Sequence, residues 1–331
     1  MDFMLNIKID PPETGINYRD EIFAVGSCFT EHISGRLNDL KFPVVQNPNG
    51  ILFDPLSVSR SLVSYVECKQ YHAEELVYLN ELWQSWQHHS MFSGMDAGLV
   101  LEKINASQRA AHEHLQKARW LIITLGSSFS YQLAGNGEFV ANCHRAPAQW
   151  FRKHLASIDE MLASMEHCLH QLLQFNPTLN ILFTVSPVRH IRDGVIDNNR
   201  SKARLIELVH HLVSKYQQLY YFPAYELVID VLRDYRFYDI DLVHPNYAAT
   251  EFVFEKFTAS FIDEESRATM EDIRKIMAAY RHKPFQPASM AHQDFLKSYL
   301  KKIHHCKQKN PHINFDREIE YFKGHQLPEF S

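Results

Sequence analysis

Three segments of the chain share one layout, a short apolar run that halts on a small residue. Residues 21–25 end at Gly26, residues 120–125 at Gly126 and residues 179–185 at Ser186. Apolar runs of this length, bounded by a turn residue, read as strands buried on both faces. After Gly26, apolar Phe29, Ile33, Leu37 and Leu40 fall three or four apart, the spacing of a helix face over residues 28–40. Residues 57–68, 99–118, 157–175 and 201–218 also read as helices. Residues 43–46 and 219–222 add shorter strands, Asn47-Pro48-Asn49-Gly50 is a turn by composition, and Asn176-Pro177 stops a helix. Strands alternating with helices specify an α/β fold with a parallel sheet covered on both faces. Such sheets bind ligands beyond the carboxyl ends of their strands. Gly26-Ser27-Cys28, Gly126-Ser127-Ser128 and Ser186-Pro187-Val188-Arg189-His190 all lie directly after strands.

The 331 residues suffice for one large domain or two small ones, and their 45% hydrophobic and 22% charged content is that of a globular protein. A net charge of -5 and the lack of any Lys/Arg-rich run argue against a nucleic-acid partner. The N-terminal residues lack the basic-then-apolar layout of a signal peptide, and no apolar stretch of about 18 residues occurs to span a membrane. Cysteines 28, 68, 143, 168 and 306 are scattered and odd in number, which fits a reducing compartment and makes a cytoplasmic location the expectation. Character changes near residue 263. Residues 265–280 and 293–304 read as helices separated by Lys283-Pro284-Phe285-Gln286-Pro287. The expected division is an α/β domain over 1–262 and a helical extension over 263–331 packed on it.

Chemistry concentrates at two places. Cys28 stands where a strand ends and a helix begins, where free N–H groups and the helix dipole favour an anion. The expectation is a lowered thiol pKa. Taken alone, Ser27 is better read as a helix cap and Cys28 as a small buried hydrophobe. Asp241 lies three residues before His244, so it can hold the imidazole from behind and leave the other ring nitrogen as a general base. Taken alone, that pair is better read as a cap and a solvated histidine. Together the two pieces form a nucleophile…Asp…His order. Asn142, His144, Arg189 and His190 fall at the same sheet edge, either to hold a substrate anion or to support the wall. His88 and His89 could line the pocket, but are better read as exposed loop histidines. His167, Cys168 and His170 sit on a helix face, and His304-His305-Cys306 lacks further ligands, so no metal site is expected. No GxGxxG or phosphate-loop motif is present, and no cofactor is expected.

Gly26-Ser27-Cys28-Phe29-Thr30 resembles the signature of the GSCFA family, a branch of the SGNH-hydrolase superfamily, with Thr30 in place of the final alanine. The resemblance continues through Asn47-Pro48-Asn49-Gly50-Ile51-Leu52, Thr124-Leu125-Gly126, Asn142-Cys143-His144-Arg145 and Thr184-Val185-Ser186-Pro187-Val188-Arg189-His190. It extends to Tyr221-Phe222-Pro223-Ala224-Tyr225-Glu226, to residues 232–238 and to the segment from Asp241 to Pro245. It implies a flavodoxin-like three-layer α/β/α sandwich, the SGNH-hydrolase fold, with ester hydrolysis or acyl transfer as its chemistry. Laid on the superfamily's Gly-Asp-Ser-Leu without a gap, the nucleophile position falls on Cys28, and Ser27 is the alternative. The oxyanion donors implied are the Cys28 N–H and Gly50. A third donor, an Asn in the superfamily, has no direct counterpart after Gly126, which leaves Ser127, Ser128 and Asn142 as candidates.

The reading is an ester hydrolase or O-acyltransferase acting on a small acyl ester, thioester or acylated glycan, without a membrane or nucleic-acid partner. The rival is a non-catalytic protein of the same fold that binds a small molecule, a glycan or a partner.

Overall fold

The apolar runs do become the strands of one sheet. The computed structural model describes residues 4–325. Its first half contains β1 (Ile22–Gly26), α1 (Cys28–Asp39), β2 (Val44–Gln46), α2 (Pro55–Val66), β3 (Leu76–Leu79), β4 (Leu82–Ser85), α3 (Ala97–Lys117) and β5 (Trp120–Leu125). Next come β6 (Phe129–Leu133), β7 (Phe139–Val140), β8 (Phe151–Leu155), α4 (Ile158–Phe175), β9 (Asn180–Val185), α5 (Gly194–Lys215) and β10 (Leu219–Phe222). The chain continues with α6 (Ala224–Glu226), a π-helical segment, α7 (Tyr247–Phe261), α8 (Glu264–Arg281), α9 (Met290–Lys309) and α10 (Asp316–Gly324). Among the described residues no helix is long and apolar enough to cross a membrane.

The central sheet has the order β10-β9-β5-β1-β2, and every pairing in it is parallel. The order reverses between β1 and β5, the switch point where such sheets open a crevice. Alternate residues of each strand face opposite ways. Ile22, Ala24, Ile122 and Leu182 face α1, α7 and the C-terminal helices. Phe23, Val25, Ile123 and Phe183 face α2, α3, α4 and α5. The three-layer sandwich follows from that division. The C-terminal helices belong to the first core: Ile273, Ile276, Leu296 and Ile303 pack with Ile33, Leu37 and Phe254. A largely buried ion pair, Lys41 Nζ to Glu318 at 2.7 Å, fastens α10 to the turn after α1.

Two parts of the architecture depart from the sequence reading. β3 and β4 form a separate antiparallel hairpin, and β7-β6-β8 a small antiparallel sheet beside the carboxyl edge of the main one. These strands are short and mostly half-exposed, so they carry no long apolar run. Helix α5 starts at Gly194, seven residues before the expected start at Ser201. Val195 and Ile196 in its first turns are exposed, so no apolar stripe marks that end. His88, expected in an exposed loop, is wholly buried against Tyr71 and Phe92, with Nδ1 2.8 Å from Ser85 Oγ.

Two expectations for stability follow. Gly26 has φ +133, and a Cβ there would lie 2.1 Å from the Thr124 carbonyl oxygen. Neither backbone can yield without breaking the β1–β5 ladder, so Gly26→Ala is expected to cost at least about 3 kcal/mol, read by urea unfolding. Burial pushes the His88 pKa down from 6.5 to about 3. An unfolded His88 binds its proton as pH falls through 6.5, whereas the folded one stays neutral. Its stabilising contribution is therefore complete above 6.5 and erodes toward pH 3, by up to about 1.4 kcal/mol per pH unit. A His88→Gln variant, unfolded in urea across that window, is expected to show the shallower acid slope. Equal slopes would refute the assignment.

Candidate functional site

The carboxyl ends of the sheet lie level, with Gly26, Thr124, Thr184 and Phe222 in one register row. A cavity of about 710 Å³ opens above this row, and Ser27, Cys28, Ser127, Asn142, Arg189, His190, Asp241 and His244 all line it. Loop 47–54 crosses the row and is bonded to it. Gly26 N–H donates to Asn47 Oδ1 (2.9 Å), Leu52 N–H to the Gly26 carbonyl (3.0 Å), and Gly126 N–H to the Phe53 carbonyl (2.8 Å). A Cβ on Gly126 would meet Ser27 Cβ, Phe53 Cδ1 and His190 Nε2 at 3.2–3.4 Å, so this glycine keeps the cavity floor clear.

Ser27 is the N-cap of α1. Its Oγ accepts from Phe29 N–H at 3.3 Å, and it is 1% exposed. Cys28 is the first residue of α1 and half-buried. The expected lowering of its pKa is corrected by the structure: the thiol is pushed up. Burial is the largest cause and Glu31 on the same helix adds to it. Lys202 and the N–H groups of Cys28 and Phe29 act in the opposite direction and are outweighed.

Asp241 and His244 form the expected pair. His244 Nδ1 lies 2.6 Å from Asp241 Oδ2, while Asp241 Oδ1 accepts from the backbone N–H of Val243 (2.9 Å) and His244 (3.0 Å). The hydrogen bonds from His244 and then Val243 hold the Asp241 pKa at about 2. The carboxylate therefore stays ionised and fixes Nδ1 as the donor, which leaves Nε2 to accept a proton. Asp241 does not cap a helix. Asn246 caps α7, its Oδ1 accepting from Ala249 N–H at 3.1 Å.

The remaining candidates divide. Gly50, Ser128 and His144 lie outside the cavity wall. Gly50 N–H is taken by the Asn47 carbonyl (2.7 Å), so it is not free for an oxyanion; with φ +81 and His89 packed against it, the glycine serves the turn. Ser128 is wholly buried and donates to the Ser201 carbonyl. His144 Nε2 bonds the Ser85 carbonyl at 2.7 Å, beside Trp86. Ser127 Oγ is occupied by Phe129 N–H (3.0 Å) and Ser201 Oγ (3.3 Å). Asn142 Oδ1 accepts from His144 N–H. Arg189 acts as a support for the His244 loop: its guanidinium donates to the Leu242 carbonyl and lies 4.3 Å from the centre of the Tyr238 ring. His190 packs edge-on to Phe53, and burial, followed by the charge of Lys202, lowers its pKa to about 4. The imidazole is therefore neutral near pH 7.

Sequence reasoning missed Phe53, Asp54 and Lys202. Asp54 lines the cavity as the buried cap of α2. Lys202, on α5, is wholly buried, and its Nζ donates to the Gly126 and Ser186 carbonyls at 2.6 Å each. Only the strand-end position of Gly126 and Ser186 could have hinted at such a clamp. Among the described residues no cluster of three or more His, Cys, Asp or Glu side chains could hold a metal ion.

Comparison with known proteins adds family-level findings. The GSCFA family profile matches residues 21–257, and the profile of the GSCFA domain protein C-terminal domain matches residues 273–325. A comparison with curated proteins finds no match. A solved structure from Streptococcus pneumonia, described under the name of platelet activating factor, is similar at 15% identity and a TM-score of 0.36, over 72% of this chain and 83% of that one. The GSCFA match spans Cys28, Asp241 and His244 and most of the chain with them: the protein belongs to the GSCFA family.

Proposed function

We propose that the protein is an SGNH-type ester hydrolase or O-acyltransferase with Cys28 as nucleophile. The observation that carries this reading is the opening of the Asp241–His244 pair and the Cys28 turn into one cavity at the sheet's switch point. His244 Nε2 takes the thiol proton as sulfur attacks the acyl carbonyl carbon. The resulting imidazolium lies against ionised Asp241. The tetrahedral intermediate then expels the alcohol or thiol, which leaves with the proton from His244. Water hydrolyses the acyl-cysteine by the same route in reverse, or an acceptor hydroxyl takes the acyl group. The Cys28 N–H is the natural oxyanion donor, at the start of α1. Phe53, Phe129, Val188 and Ile191 suit an acyl chain, while Asn142, Arg192 and Asp193 suit a polar partner such as a sugar.

Ser27 is disfavoured as nucleophile because its hydroxyl is buried and engaged as the cap. One observation favours the rival reading of a non-catalytic binding protein: the Cys28 thiol is pushed up, chiefly by burial, which disfavours the thiolate.

Turnover of p-nitrophenyl acetate and of a short acyl thioester decides between them. Cys28→Ala and His244→Ala are expected to lower kcat at least about a hundredfold. Ser27→Ala should keep turnover and lose about 1 kcal/mol of stability with its cap. Loss of turnover in Ser27→Ala alone would move the nucleophile. Wild-type rates equal to buffer on both substrates would favour the binding protein.

A further inference from the structure

We propose that the His190 imidazole is a second oxyanion donor of the site, its Nε2–H serving the space above Gly126 beside the Cys28 turn. The inference rests on the reading of Cys28 as nucleophile and names the donor that Gly50, Ser127 and Ser128 do not supply.

Distances at the cavity floor place the ring. A Cβ on Gly126 would lie 3.2 Å from Ser27 Cβ, 3.3 Å from Phe53 Cδ1 and 3.4 Å from His190 Nε2. Gly126 carries no Cβ, so this ring nitrogen and the residue that precedes Cys28 border the same small space above bare backbone. His190 and Cys28 both line the cavity. The ring is held without using its nitrogens. The His190 backbone N–H donates to the buried Asn198 Oδ1 at 2.9 Å, and its carbonyl accepts from Asp193 N–H at 3.1 Å. Phe53 packs edge-on to the ring at 5.4 Å. Among the described residues neither ring nitrogen has a hydrogen-bond partner. A donor held in place and left unpaired needs no reorganisation when charge develops in front of it.

The two cavity histidines differ in what their rings meet. His244 Nδ1 lies 2.6 Å from Asp241 Oδ2, which prepares its Nε2 to accept a proton. No carboxylate bonds the His190 ring, and burial, followed by the charge of Lys202, lowers its pKa to about 4. A neutral imidazole carries one N–H, and the tautomer is chosen by what the two nitrogens meet. An oxyanion above Gly126 selects the proton on Nε2. The neutral form also suits the step, because a charged His190 would oppose the proton that His244 takes up. The alternative donors are engaged elsewhere: Gly50 N–H by Asn47, Ser127 Oγ by Phe129 and Ser201, and Ser128 Oγ by Ser201. Asn142 lines the wall as well, but none of its atoms is among the three nearest the Gly126 point.

The test uses hexyl trifluoromethyl ketone, which yields an oxyanion and has no leaving group. The Cys28 sulfur adds to the carbonyl carbon, the carbon–oxygen π pair passes to oxygen as an alkoxide, and the thiol proton goes to His244 Nε2. Fluorine NMR follows the adduct in the full chain, His190→Phe and His190→Gln, with Cys28→Ala as the blank. Near-ultraviolet circular dichroism verifies the fold of each. His190→Phe is expected to bind the ketone at least about tenfold more weakly and to lower kcat on p-nitrophenyl acetate about a hundredfold, with KM near wild type. His190→Gln, which keeps an N–H donor, should recover most of both losses. Equal ketone affinity in folded His190→Phe overturns the proposal and leaves the Cys28 reading standing. If that variant does not fold, ¹⁵N-imidazole spectra of the native chain decide the matter. The ketone should move the Nε2 signal that is absent from His190→Gln, and an unmoved signal overturns the proposal. A wild type that forms no adduct and turns over neither ester nor thioester sinks the Cys28 reading and the donor with it.

Discussion

The site depends on how closely β1 runs beside β5 at its carboxyl end. Gly26 faces Thr124 with no room for a Cβ, so the chain can leave β1 at φ +133 and turn straight into α1. That turn sets Ser27 as a buried cap and Cys28 as the first helical residue. The adjoining groups are set by the same row. Loop 47–54 hydrogen-bonds across Gly26 and Gly126, and Lys202 reaches Gly126 and Ser186 from α5. A larger residue at either glycine would move several parts of the cavity together, because interiors packed at this density transmit displacement.

The balance of forces at Cys28 shows why a helix start does not by itself make a reactive thiolate. The dipole and free N–H groups act within the first turn and are worth about 1 kcal/mol at an exposed position. Desolvation of a half-buried sulfur is larger, and Glu31 at the same helix end works against the anion. The opposing contributions come from Lys202 and from the N–H groups of Cys28 and Phe29. In the Asp241–His244 pair, Asp241 is the asymmetric member: its carboxylate holds its charge down to about pH 2 through bonds formed within a four-residue turn, so its orientation of His244 requires nothing from the rest of the molecule.

This locality explains what was legible in the sequence. The Asp241…His244 spacing encodes a contact made within one turn, and the apolar runs of β1, β5 and β9 encode burial on both faces, so both could be read directly. Non-local roles could not. Gly50 looks like a free turn glycine until its N–H is seen bonded to Asn47. Arg189 looks like an anion ligand until the 238–244 loop folds onto it. Lys202 is the clearest case. A lysine in a polar stretch reads as solvated, and only the packing of α5 against the sheet seals it from water. The strands β6–β8, short and half-exposed, left no periodic signal, although Phe129, Tyr131 and Val140 from them form part of the cavity wall.

The C-terminal helices bear on the site without touching it, since among the described residues none beyond His244 lines the cavity. They pack on α1 and α7, whose N-terminal ends carry Cys28 and follow directly from His244. Those two helices are tied to each other by Arg36, which meets Glu251 at 2.6 Å and Thr250 Oγ1 at 3.1 Å, with Tyr247 and Phe254 against its guanidinium. The placement of Cys28 relative to His244 thus depends on one helix pair. Arg281 to Asp39 and Lys41 to Glu318 then fix the helical extension to the far end of α1. A rigid brace at that end limits rotation of α1 about the Gly26 turn. A rotation of α1 would move Cys28 relative to His244, and in the proposed reaction groups misplaced in this way would lose efficiency steeply. On the proposed reading, the extension would act as a splint for α1 and α7 through the apolar core it shares with the α/β unit.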